Sequence, residues 1–173
     1  SSGNISFLKL NATNGNLNYF TDFYFSDNAS LNLDPGYDAA IFGYNEPAFA
    51  IYSHLVQGNT GKDMSVQSIG NSDLTNDVII PLGINVSQGQ QVTVSISEST
   101  LAPDMNVYLE DSVNGSFTLL TTGDYTFVAN TTLNDTGRFF LRFSQSTLSS
   151  PEINGSSLQI YATLTPRTLF VKG

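Results

Sequence analysis

The chain has 173 residues, a formal net charge of −9 and no cysteine, and only 12% of its residues are charged. The absence of cysteine excludes disulfides, thiolate nucleophiles and cysteine-bound metals. The acidity disfavours nucleic acid and anionic lipid as partners. No apolar run approaches the about 18 residues that a membrane-spanning helix needs. The abundant Asn, Ser, Thr and Gly suggest the uncharged polar surface that is typical of an extracellular or cell-surface domain.

Short segments with period-two alternation follow one another, separated by turn signals. They predict strands at 5–10, 17–25, 49–55, 64–69, 78–84, 92–96, 105–109, 117–120, 125–128, 138–143 and 158–161. No segment keeps a helical period over several turns. We therefore predict an all-β fold, an antiparallel β-sandwich of the jelly-roll or Greek-key type with about 9 to 11 strands. A closed barrel is the alternative.

Alternation also predicts which way individual side chains point, because neighbouring residues of a strand face opposite sides of the sheet. In the strand at 49–55, Tyr52 and His54 are expected to point outward. Pro81 cannot donate a hydrogen bond to a neighbouring strand. The strand at 78–84 is therefore predicted to lie at an edge or to carry a bulge.

We predict one module over residues 1–150, in which Ser1-Ser2-Gly3 resembles a cloning remnant. Residues 151–173 are predicted to hold a final strand and the start of a projecting tail.

Six phrases of the sequence are informative as a set. They are LDPGYDAAIF (33–42), FAIYSHLV (49–56), DVIIPLGINVSQGQQVTVSI (77–96), NVYLEDSVNGSFTLL (106–120), GRFFLRFS (137–144) and LQIYATLTPRTLFVKG (158–173). Together the first five resemble a β-sandwich module found next to the C-terminal type IX secretion sorting domain in secreted multidomain proteins of flavobacteria and relatives, and the sixth resembles the opening of that sorting domain. The resemblance implies export and cell-surface attachment or release, with the last phrase as the opening of a truncated sorting domain, and it does not imply catalysis.

Catalytic chemistry has little support in the sequence. His54 is the single histidine, so any Ser-His-Asp arrangement must use it. No serine lies in a nucleophile-elbow motif. A carboxylate pair among the four glutamates is the other route, and no motif supports it. We expect the module not to be an enzyme.

An acidic turn is the candidate metal site. Asp34 and Asp38 flank Pro35-Gly36-Tyr37, and aspartates in such turns commonly bond nearby backbone amides. We expect this structural role. The alternative is a structural calcium ion, which takes carboxylate and carbonyl oxygens as ligands. No other cofactor is expected.

The candidate ligand site lies in the strand at 138–143. Phe139, Leu141 and Phe143 suit the core, so Arg138, Phe140 and Arg142 are predicted to share the outward face. A ring between two guanidinium groups would stack on a sugar and bind sulfate or carboxylate groups. This pattern predicts a polysaccharide site, in particular one for an anionic chain.

Tyr108 and Tyr24 are predicted to lie on the same side of the sheet as that site. The alternative is that the two arginines pair across strands with Glu110 or Asp111 and that the long loop covers Phe140.

These observations favour a non-catalytic accessory module of a secreted, cell-surface bacterial protein, binding polysaccharide as a monomer within a larger multidomain parent. Two alternatives remain open. One is a ligand-free spacer or platform preceding the sorting domain, and the other is an adhesin module that binds protein.

Overall fold

The computed structural model describes residues 5–27, 29–30, 39–40, 47–58, 61–74 and 78–145. This part of the chain forms strands and one three-residue 3-10 helix, Asn71–Asp73. The strands are β1 (Ser6–Thr13), β2 (Asn18–Ser26), β3 (Ala39–Ala40), β4 (Ala50–Ser53), β5 (Met64–Gly70), β6 (Ile79–Val86), β7 (Gln91–Ser99), β8 (Met105–Asp111), β9 (Ser116–Leu119), β10 (Tyr125–Val128) and β11 (Leu133–Gln145). The all-β prediction is confirmed.

Every strand predicted within the described residues is present, and β3 is the one that the sequence did not predict. The predicted strand at 158–161, the tail at 151–173 and residues 1–3 lie outside the described residues. No helix in the described part of the chain is long and apolar enough to cross a membrane.

The strands form one continuous sheet in the order β10-β7-β1-β2-β5-β4-β6-β11-β8-β9, with β3 pairing β5 beside this path. Among the described pairs, β2 and β5 run parallel and the others run antiparallel. The wholly antiparallel prediction is therefore wrong at this one pair. A parallel pair needs a long connection, and the chain between Ser26 and Met64 is long enough to provide it.

The sheet folds back so that strands far apart in this order meet across one core. Phe25 on β2 packs edge-on against Phe143 on β11, with ring centroids 5.5 Å apart. Phe127 on β10 packs against Phe139 on β11 at 5.0 Å. Alternating apolar residues of both halves are fully buried between them, as the period-two pattern predicts.

The outward side of β4 and β6 is buried as well. Tyr52 and His54 point away from the main core as predicted, but they are only 1% and 4% exposed. The ring of Tyr52 lies over Gly83, and its hydroxyl donates to Asn85 Oδ1 at 2.8 Å. His54 Nε2 lies 2.8 Å from Asp63 Oδ1. His54 therefore points outward as predicted but is not at the surface, because its ring lies beside that of Tyr52 and is hydrogen-bonded to Asp63.

Pro81 lies in a central strand, since β6 pairs with β4 on one side and β11 on the other. The prediction of an edge strand is wrong. The carbonyl of Pro81 remains in use and accepts the backbone N–H of His54 at 3.0 Å. The nearby register shift lies on β11, between Asp135 and Phe139.

Candidate functional site

Arg138 does not share an open face with Phe140 and Arg142. The register shift on β11 includes Gly137, whose φ of +114° favours glycine. Such a bulge redirects the side chain that follows it. The guanidinium of Arg138 lies 4.9 Å from the ring centroids of both Phe127 and Phe139, at the margin of the core. The prediction that Arg138 shares the outward face with Phe140 and Arg142 is wrong.

Asp111 holds Arg138 in place. Arg138 Nε donates to Asp111 Oδ1 and Arg138 Nη2 to Asp111 Oδ2, each at 2.9 Å. Oδ2 also accepts the Tyr125 hydroxyl at 2.6 Å, and Oδ1 accepts the backbone N–H groups of Val113 and Asn114. Because Tyr125 is on β10, this cluster joins one end of the strand order to β8 and β11 near the other.

Burial by itself raises the pKa of the Asp111 carboxyl, but donors around the carboxylate outweigh it. Hydrogen bonds from Arg138, Tyr125 and Asn114, with the charge of Arg138, lower the pKa below its usual range. Asp111 is therefore ionised in the folded protein at neutral pH. The cluster is a structural clasp, and its carboxylate already has donors on both oxygens.

Phe140 and Arg142 lie on an outward surface of the sheet that we call the β8–β11 face. Its members are Tyr108, Glu110, Phe117, Phe140 and Arg142. The strand register brings them together, because Glu110 lies opposite both Phe140 and Phe117. Tyr108 lies opposite Arg142 in the next outward row.

An ion pair lies at the centre of this face. Arg142 Nε donates to Glu110 Oε1 at 2.8 Å, and the two side chains are 34% and 18% exposed. The guanidinium lies 5.6 Å from the centroid of the Phe117 ring, which is 54% exposed. With Arg138 held by Asp111, the alternative expectation of cross-strand pairing is confirmed for both arginines.

Tyr108 lies in this face, and Tyr24 does not. Burial raises the pKa of the Tyr108 phenol, so its hydroxyl stays neutral and can donate a hydrogen bond. Tyr24 is on β2, beside the core residue Phe25 that packs against Phe143 of β11. Both tyrosines point to the outward side of the one continuous sheet, as predicted, but their strands are far apart in the strand order and lie on opposite sides of the core.

Phe117 is a member of the face that the sequence analysis missed. The signal was present, because the turn at Asn114-Gly115 predicts a hairpin. Pairing β8 with β9 across that turn puts Phe117 opposite Glu110, as observed. The rings of Phe117 and Phe140 sit on β9 and β11, two strands apart, which corresponds to about 10 Å.

The metal and catalytic candidates are Asp34, Asp38 and His54. Asp34 and Asp38 lie outside the described residues, so their structural role and the calcium alternative stay predictions. Within the described ranges, no group of three or more His, Cys, Asp or Glu residues could hold a metal ion. His54 is buried against Tyr52 and Asp63. The β8–β11 face offers aromatic surface and hydrogen-bonding groups, which are means of binding a ligand.

Comparison with known proteins gives one match. Residues 5–143 match the profile of a family described as a domain of unknown function (DUF8693). No curated protein and no solved structure matches the chain.

Proposed function

The chain belongs to the DUF8693 family, and we propose that it is a non-catalytic module that binds polysaccharide through the β8–β11 face. The parent would be a secreted, cell-surface bacterial protein. The low charged fraction and the absence of cysteine support export of this kind. Binding would hold the parent protein at its polysaccharide.

The observation that carries the proposal is the position of two aromatic rings on either side of an ion pair. Phe140 and Phe117 flank Glu110, which is bonded to Arg142. Aromatic rings pack against the apolar faces of sugar rings. A guanidinium and a carboxylate between them can donate to and accept from sugar hydroxyls. The separation of about 10 Å between the rings leaves room for more than one sugar unit.

Charge on the β8–β11 face favours neutral chains over anionic ones. Arg138 and Arg142 each already bond a carboxylate, and the protein as a whole carries a net charge of −9. A sulfated or uronic chain would have to displace Glu110 and approach an acidic surface. We therefore propose an uncharged polysaccharide as the ligand in place of the anionic one.

For the architecture, we propose a β-sandwich in which β10-β7-β1-β2 pack against β6-β11-β8-β9. The ring contacts of Phe25 with Phe143 and of Phe127 with Phe139 support this grouping. In such a sandwich, the outward sheet faces are flat surfaces that can lie along an extended chain.

A ligand-free spacer is the second candidate, and one observation favours it. Arg138 and Arg142 are each paired with a carboxylate of the same chain, so neither requires a ligand to neutralise its charge.

Affinity electrophoresis in gels that contain one polysaccharide each tests the proposal. The panel is hydroxyethyl cellulose, laminarin, xylan and galactomannan as neutral chains, with alginate and carrageenan as anionic ones. We expect at least one neutral chain to retard the protein, with affinity in the high micromolar range, about 5 to 6 kcal/mol. Phe117→Ala should weaken binding about tenfold or more while leaving stability within about 0.5 kcal/mol, because the ring is largely exposed.

Leu17→Ala is the matched control, since Leu17 is 56% exposed and belongs to the turn between β1 and β2. It should bind as the unmodified protein does. Retardation by none of the polysaccharides would favour the spacer. Unchanged binding by Phe117→Ala would exclude the β8–β11 face as the site.

A further inference from the structure

A second group of aromatic side chains lies on the opposite side of the core. We call it the β1–β2 face, and its members are Phe7, Lys9, Phe20, Asp22 and Tyr24. The rings of Phe7 and Tyr24 pack at 4.9 Å between centroids. Phe20 and Tyr24 are 43% and 38% exposed. Phe20 and Tyr24 are four residues apart along β2, which places their Cα atoms about 13 Å from each other.

Lys9 and Asp22 lie between these rings. Lys9 Nζ is 5.9 Å from the ring centroid of Phe7 and 5.4 Å from that of Phe20, so the cation contacts both aromatic groups. It lies 4.0 Å from Asp22 Oδ1, which is too far for a hydrogen bond. The face thus repeats, on other strands, the arrangement of two rings flanking a pair of opposite charges.

Two acceptor atoms on this side of the sheet have no donor. Asp22 Oδ1 and Asn11 Oδ1 are buried, and neither has a hydrogen-bond partner. Asn11 lies opposite Phe20, one outward row from Asp22. Burial raises the pKa of Asp22, and nearby Glu98 raises it further against the opposing effect of Lys9. A buried acceptor without a partner is unusual in a folded protein. The Asp22 side chain as a whole is 25% exposed, so rotation of its carboxylate would bring Oδ1 to the surface, where a ligand hydroxyl could donate to it.

We propose that the β1–β2 face is a second binding surface for an uncharged, hydroxyl-rich glycan chain, directed away from the β8–β11 face. The proposal rests on the proposed function, but on different residues. Lys9, Asp22 and Glu98 together give this surface a net negative charge, which disfavours anionic chains. A second copy of this chain is also disfavoured as the occupant, because each copy carries a net charge of −9. With two surfaces, one module would link two chains.

Isothermal titration and light scattering together test this. Cellohexaose, laminarihexaose, xylohexaose and mannohexaose are titrated for stoichiometry, and the matching polysaccharides are mixed with protein to detect cross-linking. We expect two hexasaccharides per protein, and particle growth when the polysaccharide is added. Phe20→Ala and Tyr24→Ala should each reduce the stoichiometry to one and abolish particle growth. Val113→Ala, an exposed position in the turn between β8 and β9, should change neither.

The outcomes separate the two proposals. If Phe20→Ala and Tyr24→Ala bind and cross-link as the unmodified protein does, the second surface is refuted and the β8–β11 face stands. If Phe117→Ala is unchanged while these two variants lose all binding, the β8–β11 face fails and the β1–β2 face is the site. No binding by the unmodified protein refutes both. Tyr24 packs on Phe7, so Phe20→Ala decides the matter if Tyr24→Ala unfolds.

Discussion

Removing the Asp111 carboxylate should destabilise the protein far more than removing Glu110, although both carboxylates pair with an arginine of β11. Asp111 and Arg138 have side chains that are 1% and 13% exposed, against 18% and 34% for Glu110 and Arg142. Removing one partner of a buried pair leaves the other charge without compensation, which costs about 3 to 5 kcal/mol. An exposed pair contributes about 1 kcal/mol or less.

Urea unfolding and thermal unfolding of Asp111→Ala and Glu110→Ala, each followed by circular dichroism, measure the free energy and the Tm of both variants. For a chain of this size, about 1 kcal/mol corresponds to about 2 to 4 °C in Tm. We therefore expect the Tm of Asp111→Ala to fall by about 6 to 20 °C and that of Glu110→Ala by about 4 °C at most. Equal losses in the two variants would refute the reasoning that burial of the clasp decides its contribution.

The same carboxylate gives a pH dependence with a definite sign. Its pKa is lower in the folded state than the ordinary value of 3.8. The stabilisation is therefore fully present above that value and is lost as the pH falls through the folded-state pKa. Asp111→Asn should remove this part of the acid sensitivity. If the stability of Asp111→Asn between pH 5 and pH 2 falls as steeply as that of the unmodified protein, other carboxylates are responsible.

Two further substitutions test the packing and the charge of the outward faces. In Gly83→Ala, the new methyl group would overlap the buried ring of Tyr52 and lie 2.8 Å from its hydroxyl oxygen, so we expect a loss of about 1 to 3 kcal/mol in urea unfolding. Gly123→Ala, which meets no atom within 4 Å, is the control, and a matching loss there would contradict the steric cause. In Asp22→Asn, loss of a carboxylate whose pKa is raised, chiefly by burial, should increase the stability at pH 7, by less than about 1 kcal/mol. That gain should disappear as the pH falls and the carboxyl of the unmodified protein binds its proton, so a loss of stability at pH 7 would contradict the assignment.

Much of the fold could be predicted because alternation is a local property. Residues of β7 and β11 such as Val92, Val94 and Leu141 are buried as their period-two spacing predicts. The same spacing gives the correct outward direction for Tyr24, Tyr52 and Phe140, since it depends only on the pleat of each strand.

What could not be predicted depends on which strands become neighbours. Pro81 lies in a central strand because β4 and β11 arrive from distant parts of the chain. Tyr52 points outward as expected, but its burial depends on what covers that side of the sheet. Arg138 departs from its predicted face because two extra residues of β11, in the segment around Gly137, shift the register. The observed site therefore differs from the predicted site more than the observed fold differs from the predicted fold, since a single bulge can redirect one side chain without altering the strands.

The position of β11 has a consequence for how the protein is made. This strand is the shared neighbour of β6 and β8, yet it is the last of the described strands to leave the ribosome. At a synthesis rate of about 5 to 20 residues per second, β6 emerges several seconds before its partner. During that interval the edge of β6 that later pairs with β11 has unpaired backbone N–H and C=O groups, beside the apolar residues Ile80, Leu82 and Ile84. Until β11 has been synthesised, the nascent chain can aggregate with other unfolded chains. We therefore expect chains on ribosomes stalled before residue 133 to bind chaperones.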